Sequence, residues 1–276
     1  MTDQTVTNDR GLTLLGRLID SLHQRRLGFF MAELLLVIAG VLIALAVDGW
    51  ISDLHDRQTE VIYLDLLASD VEKIRNEINL QIEFEKEKVE AAGRAYTALT
   101  DSNPSSEREE IELSLALLVS RRTLSLKSAT YDQMVSSGHL QLIENFELRD
   151  GIVRYFAEME RNQRIAENNN REIVDDIFLP FLLQIGVTPM LRPETLQVTS
   201  SLNRATAIMY EQLGADYAHP EDRVLSAPAE TDSWNDLRRN VLLRMRIAAT
   251  GQALAEGAID QTTNIATALA AELMSH

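Results

Sequence analysis

The chain of 276 residues has no cysteine, only 12 glycines and 6 prolines, and few aromatic residues. Without cysteine it has no disulfide, no thiolate zinc or iron–sulfur site and no thiol nucleophile. Because glycine and proline are scarce and the first proline is Pro104, we expect long uninterrupted helices. Basic residues are also few: 26 Lys and Arg against 42 Asp and Glu give a net charge of -16. This balance disfavours nucleic acid as a partner.

One very apolar segment, residues 27–47, stands out from this ordinary globular composition. It contains a single charge, Glu33, and at about 1.5 Å per residue it matches the ~30 Å hydrocarbon core of a bilayer. Trp50 follows where an interfacial aromatic anchor is expected. We therefore predict a cytoplasmic stub with an amphipathic helix over 1–26, a transmembrane signal-anchor over 27–50 and an extracytoplasmic helical bundle over 51–276.

Arginine placement predicts the orientation of this segment. Four arginines precede the segment, whereas Arg57 alone follows it closely before Lys73. Because positive residues stay on the cytoplasmic side, we expect a single-pass protein of the bacterial inner membrane with a cytoplasmic N-terminus and a periplasmic C-terminal domain. The four arginines are Arg10, Arg17, Arg25 and Arg26.

A cleaved signal peptide is the main alternative to an uncleaved anchor. Ala44-Leu45-Ala46 resembles a signal-peptidase site. The apolar run is, however, longer than the usual core of about 7–15 residues, and Glu33 lies inside it. These features favour the uncleaved anchor, and cleavage after Ala46 stays open.

The predicted anchor carries one stripe that is not suited to lipid. Its members step by three and four residues and therefore share a helix face. The stripe is acidic at both ends and small in the middle, which permits close helix–helix approach. It predicts association with a second copy or with another membrane protein, while the alternative is that Glu33 reaches the inner interface. The stripe consists of Glu33, Val37, Gly40, Ala44 and Asp48.

The remainder of the chain predicts an all-α fold, in which the transmembrane helix continues into an elongated antiparallel bundle. Apolar residues from Val61 to Ile82 recur at spacings of three and four, as in a coiled-coil seam. The charge run over 83–90 is expected to be a solvated face. Further helices are expected over 129–136, 146–179, 201–212 and about 232–273, with an irregular cap over 180–231 that contains five of the prolines.

Two stretches, 33–50 and 130–155, resemble a bacterial family of single-pass envelope proteins that share a domain of unknown function. The first matches the family's anchor, E-x(6)-G-x-L-I-A-L-x(4)-W, and the second its Tyr…Ser-Gly-x-Leu…Leu-Arg…Tyr pattern. Asp48 replaces an expected Asn and Phe156 an expected second Tyr. The resemblance implies a membrane-anchored protein and brings no established activity.

Within the second stretch, Ser137-Gly138 is expected to end a helix with a left-handed residue. Tyr131, Arg149 and Tyr155 are then expected to close a polar cluster where the chain reverses. A structural hydrogen-bond network is the favoured interpretation, and a ligand pocket is the alternative.

No nucleotide-binding, hydrolase or metalloprotease motif occurs in the chain, so we predict no catalytic, cofactor or metal residues and no enzyme activity. His219-Pro-Glu-Asp222 is favoured as a turn over a metal site, and Asp175-Asp176 as a helix surface over an acid–base pair. The predicted function is that of a membrane-anchored interaction or accessory protein, with the lipid bilayer and a homo-oligomer or another membrane protein as partners. The alternative is an extracytoplasmic ligand-binding module that acts through a partner, as sensor bundles do.

Overall fold

The computed structural model describes residues 10–101, 107–189, 201–214, 225 and 231–275, with side chains from Met31 onward and, in the sixth helix, from residue 207. Every regular element in these ranges is helical, so the predicted all-α fold with a long N-terminal apolar helix is confirmed. The helices are α1 Arg10–Thr100, α2 Arg108–Leu118, α3 Ala129–Ser137, α4 Phe146–Asn168, α5 Leu179–Gln184, α6 Ser201–Leu213 and α7 Asp232–Ser275.

The chain divides into two compact units, Met1–Thr59 and Glu60–His276. The division lies later than the predicted start of the outer domain at residue 51. In the first unit, α1 exposes every described side chain from Met31 to Gln58. The second unit, called the helical unit below, contains two hydrophobic clusters.

On two long helices of the helical unit, a series of buried or half-buried residues recurs at strictly alternating spacings of three and four. This seven-residue repeat places one continuous seam on each helix. On α1 the seam comprises residues Leu64, Leu67, Val71, Ile74, Ile78, Gln81, Glu85, Lys88, Ala92, Ala95 and Leu99. On α7 it comprises Trp234, Leu237, Val241, Arg244, Ala248, Gly251, Ala255, Ala258, Thr262, Ile265 and Leu269.

Two contacts set the antiparallel register of α1 and α7. Arg238 Nε donates to the carbonyl oxygen of Leu99 at 2.8 Å. Glu85 lies so close to Gly251 that a Cβ on this glycine would be 2.8 Å from Glu85 Oε1. In this register, residues 71, 78 and 92 of α1 are level with residues 265, 258 and 244 of α7, so seam faces seam.

The two hydrophobic clusters lie at successive levels along these seams. The first cluster joins α1 and α7 to α4 through side chains that include Ile152 and Met159, with Met134 of α3. The second cluster joins them to α2 and α5, and Trp234 and Phe178 are its largest buried side chains.

Local signals end and begin the shorter helices as predicted. Gly138 adopts a φ of 77°, so the left-handed residue expected after α3 is confirmed. Asn145 Oδ1 accepts a hydrogen bond from the backbone N–H of Leu148 and caps α4. The single helix predicted over 146–179 is continuous, but its segment Asn169–Phe178 is a π-helix.

Side-chain bonds to α1 fasten the segment that enters α3. The Asp70 carboxylate accepts hydrogen bonds from Ser128 Oγ and Thr130 Oγ1, both at 2.8 Å, and pairs with Lys73. Burial raises the pKa of Asp70, but the hydrogen bonds from Lys73, Thr130 and Ser128 outweigh it and lower the pKa to about 2. The ionised carboxylate is therefore the form that holds this segment.

Candidate functional site

The stripe predicted on the anchor lies on α1 in the first unit. Glu33, Val37, Gly40, Ala44 and Asp48 are all exposed. A Cβ on Gly40 would meet nothing within 4 Å, so the centre of the stripe is open to a partner. The surrounding helix is long and apolar enough to span a membrane, with a mean hydropathy of 2.5 in its most apolar window.

Trp50, the predicted interface anchor, is also exposed, with 65% of its surface accessible. Its exposed indole suits the bilayer–water interface, because the ring is apolar while the N–H needs a polar partner.

A buried polar layer separates the two hydrophobic clusters of the helical unit. We define it by Gln81, Glu85 and Lys88 of α1, Arg244 of α7 and Asn162 of α4. Gln81, Lys88, Asn162 and Arg244 are each at least nine-tenths buried, and Glu85 is partly buried. The predicted solvated face over 83–90 is thus wrong for Glu85 and Lys88, because both occupy positions of the α1 seam.

Glu85 lies at the centre of the polar layer. Its Oε1 accepts a hydrogen bond from Gln81 Nε2 at 2.9 Å, whereas its buried Oε2 has no hydrogen-bond partner among the described residues. Burial raises the pKa of Glu85 above its ordinary value, and the charges of Arg244 and Lys88 and the Gln81 bond oppose this shift only partly. The layer therefore favours the protonated carboxyl more than water does.

The two cations of the layer are held in different ways. Lys88 pairs with Glu87 at 2.7 Å and places its ammonium 4.5 Å from the centre of the Phe84 ring. Burial lowers the pKa of Lys88, and the Glu87 carboxylate opposes that shift. Arg244 Nε donates to the carbonyl oxygen of Leu118 at 3.1 Å and so ties α7 to the end of α2.

A small cavity of about 30 Å³ adjoins Glu85. Gln81, Asn169 and Gly251 line it together with Glu85 and Asn162. Asn162 Oδ1, like Glu85 Oε2, is buried and has no hydrogen-bond partner in the part of the chain that the structure describes. The volume accommodates a water molecule or a small ion and excludes organic ligands. Each of these two buried acceptor oxygens calls for a hydrogen-bond donor.

The polar layer can perform two physical tasks. Polar side chains in a seam penalise any other register, because a slip would bury them against apolar residues. A carboxyl group with a raised pKa also couples proton binding to the packing of the helices around it. Sequence reasoning missed this layer, although continuing the three–four spacing beyond Ile78 leads to Gln81, Glu85 and Lys88.

The predicted polar cluster is divided among separate partners in the structure. Tyr155 is buried, and its hydroxyl group is 3.1 Å from Thr262 Oγ1 of α7. Burial raises the pKa of Tyr155 to about 12, and the Thr262 bond opposes this only weakly. Tyr131 stacks on Phe156, with 4.3 Å between the ring centres, and Tyr155 meets the same ring edge-on at 5.0 Å. The two tyrosines thus share an aromatic neighbour and not a polar one.

Arg149 and Ser137 also have local partners. Arg149 donates to the carbonyl oxygen of Ile143 at 3.3 Å and lies over the Phe146 ring. The Ser137 hydroxyl donates to the carbonyl oxygen of Gln133 at 2.8 Å, beside Gly138. The structure therefore does not join Tyr131, Arg149 and Tyr155 in one polar cluster.

An open groove of about 740 Å³ runs between α4 and α7, and we call it the α4–α7 groove. Both helices contribute its lining, and arginine side chains of α4 stand along it. Its lining includes Gly151, Arg154, Tyr155, Arg161, Arg164 and Ile265.

Among the described residues, no three His, Asp or Glu side chains meet in a geometry that could hold a metal ion. The predicted turn at His219-Pro-Glu-Asp222 lies outside the described residues. Asp175 forms an ion pair with Arg121 at the surface of the helical unit. No family model matches the chain, and no curated protein or solved structure matches it either.

Proposed function

We propose that this is a membrane-anchored interaction or accessory protein of the bacterial envelope that works by assembly and not by catalysis. The observation that carries this proposal is the fully exposed apolar stretch of α1 in the first unit. Soluble proteins rarely expose so large a contiguous apolar surface, so a bilayer is the partner that this surface suits.

The proposed topology rests on charge. The arginines ahead of the apolar stretch favour a cytoplasmic N-terminus, so the helical unit would be periplasmic. The anchor is proposed to remain uncleaved, and membership of the single-pass envelope family stays a prediction. An alkaline phosphatase domain fused to the C-terminus tests the topology, because this enzyme is active only outside the cytoplasm. An inactive fusion that is well expressed would contradict the proposed orientation.

Association is proposed to use the stripe from Glu33 to Asp48. Gly40 and Ala44 let a second helix approach closely, and contact with a partner removes the acidic end residues from lipid. The partner is a second copy or another membrane protein.

A matched pair of variants tests this association. Ala44→Leu adds bulk on the stripe, whereas Ala46→Leu adds the same bulk on another face of the helix. In native mass spectrometry from detergent, Ala44→Leu and Gly40→Leu should lose the oligomer or the bound partner, and Ala46→Leu should keep it. A wild-type protein that is strictly monomeric and partner-free in membranes would refute the proposal.

A second candidate function is a sensor-like module, and the polar layer is the observation that favours it. Because the cavity beside Glu85 and Asn162 accommodates nothing larger than water or a small ion, the ligand would be a proton or an inorganic ion. Hydrogen–deuterium exchange over residues 244–258 of α7 tests this possibility. After division by the intrinsic exchange rate at each pH, protection should change between acidic and neutral pH in the wild type and not in Glu85→Gln. Identical protection profiles of the two proteins would rule the module out.

A further inference from the structure

We propose that the α4–α7 groove binds an acidic amphipathic helix of a partner protein, which adds a fourth helix beside α1, α4 and α7. The inference rests on the proposed interaction function, and it assigns the surface of the helical unit and the chemistry of the partner. Four-helix packing is the common way in which a bundle covers a groove between two neighbouring helices.

The dimensions of the groove suit a helix. Its lining on α4 extends from Gly151 to Arg164, which at about 1.5 Å per residue is roughly 20 Å, or nearly four helical turns. Tyr155 and Ile265 give it an apolar floor between the charged side chains. An open, elongated groove with such a floor receives an apolar helix stripe, whereas a compact ligand prefers an enclosed pocket.

The charges of the groove select an acidic partner. Arg154, Arg161 and Arg164 line it beside a single acid, Glu158, although the chain as a whole carries a net charge of -16. Their side chains are 74%, 58% and 60% exposed. Among the described residues, each forms its ion pair within α4, with Asp150, Glu158 or Glu160. Exposed pairs of this kind contribute little to stability, so a partner's carboxylates can recruit the arginines at little cost.

Spacing adds a second criterion for the partner. Arg154 and Arg161 are seven residues apart, which is two helical turns. A helix packed alongside α4 at a small angle presents matching carboxylates when its own acids are also seven residues apart. The partner segment should therefore combine an apolar stripe with Asp or Glu at that interval.

Gly151 leaves room in the lining of the groove for a helix to approach α4. Glycine inside a helix costs up to about 1 kcal/mol relative to alanine. A Cβ at Gly151 would meet only Ile265 Cδ1, at 3.8 Å, which is an ordinary contact. Packing inside the protein thus does not require a glycine here, whereas a helix seated in the groove benefits from the missing side chain.

Two fluorescent peptides test the proposal on the full-length protein in nanodiscs of zwitterionic lipid. Both are amphipathic helices of about 20 residues with a leucine stripe, one with glutamates seven residues apart and the other with lysines there. The glutamate peptide should bind at least about tenfold more tightly than the lysine peptide. Equal binding of the two peptides, or no binding of either up to about 1 mM, would overturn the proposal.

Variants locate the binding in the groove. Arg154→Glu/Arg161→Glu should reverse the preference between the two peptides, and unchanged preference would overturn the proposal. Gly151→Leu should weaken binding of the glutamate peptide at least about tenfold without lowering the thermal unfolding midpoint of the protein. The control Gly93→Leu on α1 should leave binding of this peptide unchanged. If neither peptide binds and position 157 of one copy cross-links to position 157 of another, the groove is a surface for self-association and the proposal is overturned.

The two proposals fail separately. Peptide binding does not depend on the transmembrane stripe, so Ala44→Leu should retain it while losing the oligomer. If the peptides do not bind while the oligomer is intact, this inference alone is refuted.

Discussion

The two hydrophobic clusters of the helical unit differ in which long helix contributes an alanine opposite a large side chain. In the first cluster, α1 contributes Ile74 and Ile78, while α7 contributes the small Ala258 at the level of Ile78. In the second cluster the sizes are reversed, because α1 contributes Ala95 and α7 contributes Val241 at the same level. At these two levels a large side chain on one helix faces an alanine on the other, whereas Leu67 with Leu269 and Leu99 with Leu237 are levels at which both side chains are large.

This reversal explains how two regular seams find a single register. A slip of one heptad would keep seam against seam but bring Ile265 level with Ile78, in the place that Ala258 occupies in the structure. The polar layer lies where the sizes reverse, and it opposes the same slip by burying charges in apolar surroundings. Shape and charge therefore specify one alignment of α1 and α7 together.

Removal of the largest side chain of the second cluster should have the largest effect. Trp234 is 1% exposed, so Trp234→Ala should lower the free energy of unfolding by about 3–5 kcal/mol. Phe146→Ala, which removes an aromatic ring that is 67% exposed, is the control. Circular dichroism of the full-length protein in detergent during heating measures both, and equal losses would break the proposed division between core and surface.

Adding volume on the alanine side of the second cluster should be the next most damaging change. Ala95 is fully buried opposite Val241, and Ala95→Leu should cost about 1–3 kcal/mol by overpacking. Ala268→Leu on the exposed face of α7 adds the same atoms without a clash. If Ala95→Leu proves as stable as Ala268→Leu, the size complementarity inferred between α1 and α7 is wrong.

Acidification should release the bond between α1 and the segment before α3. Because the pKa of Asp70 is lowered to about 2, its ionised form stabilises the fold above its ordinary value near 3.8, and this contribution disappears as pH falls toward 2. Asp70→Asn should therefore be less stable by about 1 kcal/mol at neutral pH, after allowance for solvent screening, with the difference vanishing in acid. A constant difference across pH 2–7 would contradict this assignment.

Glu85 should show the opposite pH dependence. Its pKa is raised, so the wild type loses stability as pH rises above about 4.5, where the unfolded chain ionises more readily. Glu85→Gln removes that loss, because the amide does not ionise. The variant should be more stable than the wild type at neutral pH and equal to it in acid, as urea titrations at several pH values would reveal. Lower stability at neutral pH would show that the charge of Arg244 outweighs burial.

Two glycines of α7 should give the smallest effects. Gly257 has nothing within 4 Å of an added Cβ, so Gly257→Ala should gain about 0.5–1 kcal/mol from helix propensity. At Gly251 the added Cβ meets Glu85, so Gly251→Ala should gain less or lose stability. In a Glu85→Ala background, Gly251→Ala should give the full gain in stability. If it does not, a group other than Glu85 obstructs the added Cβ.

Helix positions were predictable because they depend on local chemistry. Asn145 accepts from a backbone N–H at the start of α4, and Gly138 is free of the Cβ that penalises a positive φ. The π-helical segment after Asn168 was not predicted, because its buried residues Val174 and Phe178 are four apart, a spacing that an α-helix also allows. The irregular cap predicted over 180–231 is only partly described, and α6 lies in its described part.

The polar layer was missed for a physical reason. Lys88 and Glu85 have the residue types of a solvated surface, and their burial depends on what α7 and α4 place opposite them. The predicted seam took Ile82 as its next apolar residue after Ile78, whereas the seam in the structure continues through Gln81. Spacing was thus a better guide to burial here than side-chain polarity. Tyr131 and Arg149 were expected to meet because they flank a reversal of the chain. A reversal brings backbones together but does not determine which way each side chain turns, and Arg149 turns to Ile143 and Phe146.

The three–four spacing of the seams has a consequence for handedness. A strict repeat of seven residues, maintained from Leu64 to Leu99 on α1, makes two helices wind around each other as a left-handed supercoil. Over about 53 Å, and with a typical pitch of about 150 Å, α1 and α7 turn through roughly a third of a revolution. A surface beside them follows that winding, so a helix that lies along it over its whole length must wind as well. The apolar residues of that helix would have to follow a repeat of seven residues, or 3.5 per turn, and not the 3.6-residue period of a straight helix.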